Sequence, residues 1–539
     1  QSEWLRMRMF MYEIFNNTIS IFCAVCIFRA IALAFACMAH QHDCKPPFED
    51  THDSRIILLY RFMCAVMWHV FFVLLLWFLV RWLCRNGVHG RKVKKVVKNA
   101  KTYMKAALMF AHVCSFAWIC FWGEALFVWV EYCNDYTLVA LTVPFFIAGA
   151  LGLSWLVLFI FQLLREGAYL CWGMMCGPLD AGMEEIIDLF KETNRDGNIE
   201  SVSLAISFLF IQWVKFIITE SASSIPDKQS MVTLGHIFQP EGIEGPLLSQ
   251  HNAMEAGLLL RLSFGIWLVS VTWQCLGMRL KRCCRNYTCL HLRKNLIDMV
   301  GKLLSCLSMW GLYFGTEWLV ASKSRATLAT LHESSVLSRL VEAVLITTTT
   351  VTLLVLMLTM LRCFSRVPNH SQPSCLTAGQ DLGAVISEHF AEGLAAFGVA
   401  VGISWERAFG LAVEAVSRDA AKTEILSIGS KKIREEVFEI VVIFLTVAIL
   451  MSVWVSYIIP MTEERGYLFG FVPRLAIKKA RRLAEHPDYS RFPAGEAEKL
   501  LEDLLKMQET FEEENDDLEE SNVAGRAAEE RGDYQQMQE

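Results

Sequence analysis

Eight stretches of about twenty apolar residues recur before residue 362, at roughly 14–38, 56–83, 106–132, 137–164, 204–220, 256–279, 296–320 and 340–361. A helix rises about 1.5 Å per residue, so runs of this length cross the hydrocarbon of a bilayer, where each backbone N–H and C=O must find its partner within the chain. Two further segments extend the series: 384–403, which carries Glu388, His389 and Glu392 near its start, and the strong run 437–459. The predicted fold is all-α, a polytopic helical membrane protein of about ten transmembrane helices. Composition agrees, since 54% of the 539 residues are apolar, 20% are charged and mean hydropathy is +0.36, whereas soluble domains carry about 25% charged residues. The net charge of −6 averages separate acidic and basic blocks and points to no nucleic-acid surface.

Orientation follows from the lysines and arginines in short loops. Segment 85–105 holds Arg85, Arg91, Lys92, Lys94, Lys95, Lys98, Lys101 and Lys105, and 279–294 holds Arg279, Lys281, Arg282, Arg285, Arg293 and Lys294. Both are predicted to be cytoplasmic and to attract anionic lipid. Segments 40–53 and 220–255 each carry one lysine and fit the opposite side.

The two halves echo each other. Leu58-Leu59-Tyr60-Arg61, Cys84-Arg85-Asn86 and Phe121-Trp122-Gly123-Glu124 correspond to Leu259-Leu260-Arg261, Cys284-Arg285-Asn286 and Phe314-Gly315-Thr316-Glu317, with Arg61 to Arg261 and Cys84 to Cys284 sharing an offset of 200. Ionised groups in hydrocarbon cost several kcal/mol unless paired or hydrated. The spacing therefore predicts two interhelical ion pairs, Arg61 with Glu124 and Arg261 with Glu317, as clamps or as the lining of a pathway. Ser20 and Arg29 are echoed by Ser207 and Lys215. If these bases and the two acids share an interior, surplus positive charge favours an anion. His69 and His112 sit in apolar context and read as neutral core histidines. Gly398 and Gly402 form a close-packing surface, and Thr347–Thr350 is expected to bond back to its own helix or across to a neighbour.

Between the two echoes, Ile186-Ile187-Asp188-Leu189-Phe190 gives an apolar helical face, followed by Glu192-Thr193-Asn194-Arg195-Asp196-Gly197-Asn198-Ile199-Glu200. Over Glu184–Leu204 the chain resembles an EF-hand, the helix, twelve-residue loop, helix calcium motif. Asn194, Asp196, Gly197 and Ile199 match loop positions three, five, six and eight. The resemblance implies a calcium site built from Glu192, Asn194, Asp196, Asn198, Glu200 and Ser203. Two positions depart from the motif: Glu192 opens the loop in place of aspartate, and Ser203 stands where a bidentate glutamate is usual, so the implied calcium binding is weak. A helix leaving this loop would run into the fifth membrane span and let an ion move it.

These features predict a first four-helix membrane repeat over 1–164, a cytoplasmic linker with the degenerate EF-hand over 165–203, a second parallel four-helix repeat over 204–361, membrane helices with an amphipathic connector over 362–460, and a cytoplasmic, acidic, partly disordered tail over 461–539. No phosphate-cradling loop, nucleophile elbow or zinc-protease helix is present in the sequence, which favours a non-enzymatic protein. The function expected is a channel or transporter for an ion or small solute, modulated by calcium through the linker. The alternative is a calcium-responsive membrane scaffold or adaptor without transport, its acidic tail docking a protein partner.

Overall fold

The computed structural model describes residues 2–39, 54–87, 93–133, 136–176, 181–222, 253–283, 290–327, 336–365, 382–422 and 431–459. Among them the chain forms ten α-helices and no strand: α1 (Ser2–Ala39), α2 (Ser54–Gly87), α3 (Val93–Cys133), α4 (Tyr136–Cys176), α5 (Ala181–Ala222), α6 (Ala253–Cys283), α7 (Leu290–Thr327), α8 (Val336–Ser365), α9 (Leu382–Lys422) and α10 (Lys431–Val453), the last continued by a π-helical turn at Trp454–Ile458. Among the described residues, nine helices contain a stretch long and apolar enough to cross a membrane. The chain is an all-α, multi-pass membrane protein. Its helical body is the compact unit Phe10–Ser456; a second unit, Gln1–Met9 with Tyr457–Glu539, contributes the first turns of α1 and the end of the π-helical turn.

Odd-numbered helices lie inside the body and even-numbered helices outside. In the spans of α3, α5 and α9, 72% of residues are buried, and in α1 50%, against 22% in α2, α4 and α10, 28% in α8 and 33% in α6. The outer helices turn Leu59, Met63 and Leu74, Leu141, Phe145 and Leu156, or Phe444, Leu445 and Ile449 outward. In water such faces would drive collapse; in a bilayer they are solvated by lipid tails, and helices associate instead through close packing and hydrogen bonds. The tenth helix, α7, lacks so apolar a stretch, and its interior position explains how it tolerates Ser305, Ser308, Thr316 and Glu317, all buried.

Two kinds of seam hold neighbouring helices. The α2–α3 seam is aromatic, with ring centroids of Phe62 and Phe121 at 5.2 Å, Phe71 and Phe110 at 5.5 Å, and Trp82 and Tyr103 at 5.7 Å. The α6–α7 seam is built from serine and glycine. Ser263 Oγ donates to the Ser308 carbonyl at 2.5 Å and Ser308 Oγ returns the bond to the Ser263 carbonyl at 2.9 Å, while Ser270 and Ser305 hydroxyls meet at 2.8 Å. A Cβ on Gly311 would lie 3.0 Å from Ser263 Cβ, and one on Gly315 2.8 Å from Leu260. The expected glycine surface of α9 packs on α1: added Cβ atoms would meet the Ile14 carbonyl at 2.9 Å from Gly398 and the Thr18 carbonyl at 2.7 Å from Gly402, so the two helices run in the same direction. In α8, Thr347 and Thr348 bond back to the carbonyls of Ala343 and Val344, and Trp405 Nε1 of α9 donates to Thr347 at 3.0 Å.

Three sequence expectations change. The short span at 204–220 belongs to an apolar stretch of 29 residues, Phe190–Ile218, inside the unbroken helix α5. The linker boundary expected at residue 203 therefore falls within a helix. The span expected at 384–403 lies later, at Ala396–Ala420, because the charged start that includes Glu388, His389 and Glu392 precedes the apolar part of α9. The side chains of those three residues, the centres of the two basic loops and the tail 461–539 lie outside the described residues.

Candidate functional site: a buried charge network

Glu317 of α7 is 5% exposed and lies between two guanidiniums brought by other helices. Arg339 Nη1 of α8 donates to Glu317 Oε1 at 2.6 Å and to Glu342 Oε2 at 2.8 Å. Arg407 Nη1 of α9 donates to the same Glu317 oxygen at 2.7 Å and to the Tyr313 hydroxyl at 2.7 Å. Lys215 of α5 stands 3.8 Å above the Phe314 ring, a cation–π contact made inside the bundle. Beside Arg407, Glu406 turns toward α1, where Arg29 reaches Glu439 of α10 at 2.7 Å and Glu406 at 4.0 Å. Gly410 admits that guanidinium, since a Cβ there would collide with Arg29 Nη1. Charges from α1, α5, α7, α8, α9 and α10 thus meet in one network.

The Arg61–Glu124 pair forms as expected, Nη2 to Oε2 at 3.4 Å, with Arg61 Nη1 also donating to the Cys120 carbonyl at 3.3 Å. The Arg261–Glu317 pair does not. On α2, Arg61 continues the buried stripe Ala65, His69, Phe72 and Leu76; on α6 the buried stripe is Ala256, Leu259, Ser263, Trp267 and Ser270, and Arg261 points outward. Arg261 stands two residues beyond Leu259, about 200° round the helix, so an equal offset in sequence delivers the opposite face. The expected surplus of positive charge also disappears. Within this network and the Arg61–Glu124 pair, Arg29, Arg61, Lys215, Arg339 and Arg407 stand with Glu124, Glu317, Glu342, Glu406 and Glu439, five bases and five acids, and Lys302 with Glu200 adds one of each. Nothing in that balance selects an anion.

The calcium loop implied by the EF-hand resemblance is not formed, because Glu192, Asn194, Asp196, Asn198, Glu200 and Ser203 all lie on α5. A helix advances about 100° per residue and spreads these oxygens round its axis, whereas an ion needs the backbone wrapped about one centre. Glu192 is exposed, Asn194 and Ser203 are buried, Asp196 pairs with Arg195 at 3.2 Å, and Glu200 pairs with Lys302 of α7 at 3.4 Å. Gly197 serves packing: a Cβ there would lie 2.9 Å from Phe72 Cζ and 3.0 Å from Ala111 Cβ. Among the described residues no group of three or more His, Cys, Asp or Glu side chains is arranged to hold a metal ion.

What α5 and α7 do form is a polar seam. Glu200, Ser203, Ser207 and Lys215 follow one face of α5, and Lys302, Cys306, Tyr313 and Glu317 follow one face of α7. Glu200 meets Lys302 at one end, with His112 Nδ1 of α3 at 4.0 Å from the same carboxylate. Lys215 and Glu317 stand fifteen residues further along each helix, about 22 Å away, so α5 and α7 run in the same direction. Between these ends Phe208 packs against Trp310 at 5.3 Å and Phe314 at 6.4 Å, and Trp310 Nε1 donates to the Leu204 carbonyl at 3.2 Å. The seam carries charge at both ends and an aromatic block at its centre.

Sequence reasoning missed Arg339, Glu342, Glu406, Arg407, Glu439 and Lys302 as partners. The signal for Glu406 and Arg407 was their position inside the apolar stretch 396–420, which a span ending at residue 403 leaves outside. Compared with models of protein families, with curated proteins and with solved structures, the chain matches none.

Proposed function

We propose that this membrane protein carries an ion or small solute across the bilayer along the α5–α7 seam, closed in this conformation by Phe208, Trp310 and Phe314. The observation that carries the proposal is the order of groups on two parallel inner helices: Glu200 with Lys302, then the aromatic block, then Lys215 with Glu317. Ionisable side chains inside membrane helices are expensive and line ion pathways and proton relays. A clamp between two helices requires one pair, as Arg61 and Glu124 provide; a network joining six helices gives rigid inner elements a shared set of exchangeable partners. Apolar constrictions close such routes by excluding water.

The reading is non-enzymatic. A calcium-responsive adaptor has lost its trigger, since the residues of its loop are helical. Under this proposal the tail is cytoplasmic, the basic segments 85–105 and 279–294 lie against anionic headgroups, and the acidic tail is free for a protein partner.

Removing the block tests the route whatever the natural cargo. With the protein reconstituted in vesicles under a potassium chloride gradient, Phe208→Ala combined with Trp310→Ala should raise the ionic current several-fold above the parent protein. A monodisperse double variant with the current of empty vesicles would refute the seam as a route.

A further inference from the structure

We infer that His112, Glu200 and Lys302 form a proton-binding site and that the proton is the ion coupled to transport along the seam; the coupling rests on the transport proposal, the site does not. Three inner helices supply the groups, α3, α5 and α7. His112 is 3% exposed, and among the described residues its Nδ1 has no hydrogen-bond partner. A buried polar atom without a partner costs free energy, and both ring nitrogens of His69 share that condition, so what sets His112 apart is the carboxylate beside it. Glu200 Oε1 stands 4.0 Å from that nitrogen, beyond a hydrogen bond but within reach of a charge, while Glu200 Oε2 holds Lys302 at 3.4 Å. One carboxylate thus stands between a permanent cation and a group that becomes a cation on taking up a proton.

With His112 neutral, Glu200 is matched by Lys302 alone. A proton arriving at Nδ1 gives that nitrogen a donor directed at a carboxylate already in place, and α3 is drawn toward α5; its departure returns Glu200 to Lys302. No bond other than N–H forms or breaks, and the proton is taken from and returned to water. Lys302 keeps 44% of its side chain exposed, which links the site to the protein surface. On the inner side Ser203, one turn beyond Glu200, is fully buried with a hydroxyl that has no partner.

The groups around His112 are few. Glu200 faces it from α5 and Lys302 from α7, with Cys306 of α7 and Asp196 of α5 beside that pair. The other helices on α3 bring apolar side chains: α2 supplies Phe72 and Leu76, and α4 has no ionisable side chain between Thr137 and Phe161. His69 of α2 is a built-in contrast. It is equally buried, but its ring lies 4.7 Å from Phe161, and among the described residues no carboxylate is paired with it. Burial alone makes a neutral histidine; burial beside a shared carboxylate makes one that can exchange a proton.

The test measures proton uptake by the purified full chain in detergent after a step to acid, read with a pH-sensitive dye. His112→Gln should lose about one proton per chain relative to the parent, and His69→Gln should lose none. Glu200→Gln keeps the imidazole and should take up that proton only at more acidic pH, which preserves the test should the histidine variant fail to fold. Unchanged uptake in His112→Gln, or an equal loss in His69→Gln, would overturn the site. In vesicles, a current that ignores the pH gradient would overturn the coupling while leaving transport intact. A failed plug-removal experiment would remove transport while the uptake curves still judged the site.

Discussion

Glu124 follows Phe121 by three residues in α3, as Glu317 follows Phe314 in α7, yet their surroundings differ. Glu124 is matched inside its own hairpin by Arg61 of α2 at 3.4 Å, across an aromatic seam. Among the described residues Glu317 receives no charge from α6, which turns Arg261 outward and packs serine and glycine against α7, and it instead holds Arg339 and Arg407 from two other helices. The contrast shows what a related motif can become when the neighbouring face changes. A glutamate with a local partner fastens two helices. One denied a local partner draws in distant elements and couples them.

The largest expected effect comes from removing a shared carboxylate. Glu317→Ala leaves Arg339 to Glu342 and Arg407 to the neutral Tyr313 hydroxyl and should cost about 3–5 kcal/mol, the range for breaking a buried pair; thermal unfolding in detergent, or the loss of monodisperse protein, reads it. Next comes Gly315→Val, which drives a branched side chain against Leu260 and should cost about 1–3 kcal/mol by overpacking in the same unfolding assay. Arg61→Gln should cost about 1–3 kcal/mol, less than Glu317→Ala, because the glutamine amide can still donate to the buried Glu124 and the lost pair is longer. Arg261→Gln should stay within about 0.5 kcal/mol of the parent, as for an exposed side chain with no partner among the described residues. If Arg61→Gln proved as damaging as Glu317→Ala, the distinction between local clamp and shared hub would vanish.

Much of the architecture is legible in the sequence because membrane helices announce themselves by length and apolarity. The Arg61–Glu124 pair was legible too, since both residues fall on the buried stripes of adjacent helices. The Arg261 error was one of rotation rather than depth: offset arithmetic fixes height along a helix, while Leu259, Ser263 and Trp267 define the inward face that Arg261 misses. The EF-hand expectation failed on another point. Asn194, Asp196, Gly197 and Asn198 have the composition of a calcium loop, but they begin a 29-residue apolar stretch in which a break would leave backbone groups unmatched in the membrane. There a glycine is as useful for bringing Phe72 close as for turning a chain. The partners of Glu317 were not legible because Arg339 and Arg407 lie 22 and 90 residues away, and no local period reports such a meeting.

The difference between the two glutamates is tested most directly by a pair of double-mutant cycles on thermal unfolding in detergent, one with Glu317→Gln and Arg407→Gln, the other with Glu124→Gln and Arg61→Gln. The hub predicts a coupling for Glu317 with Arg407 near the top of the range of about 0.5–3 kcal/mol seen for residues in contact, and a smaller one for Glu124 with Arg61. Additive effects at Glu317 and Arg407, or a stronger coupling at Glu124 and Arg61, would contradict it.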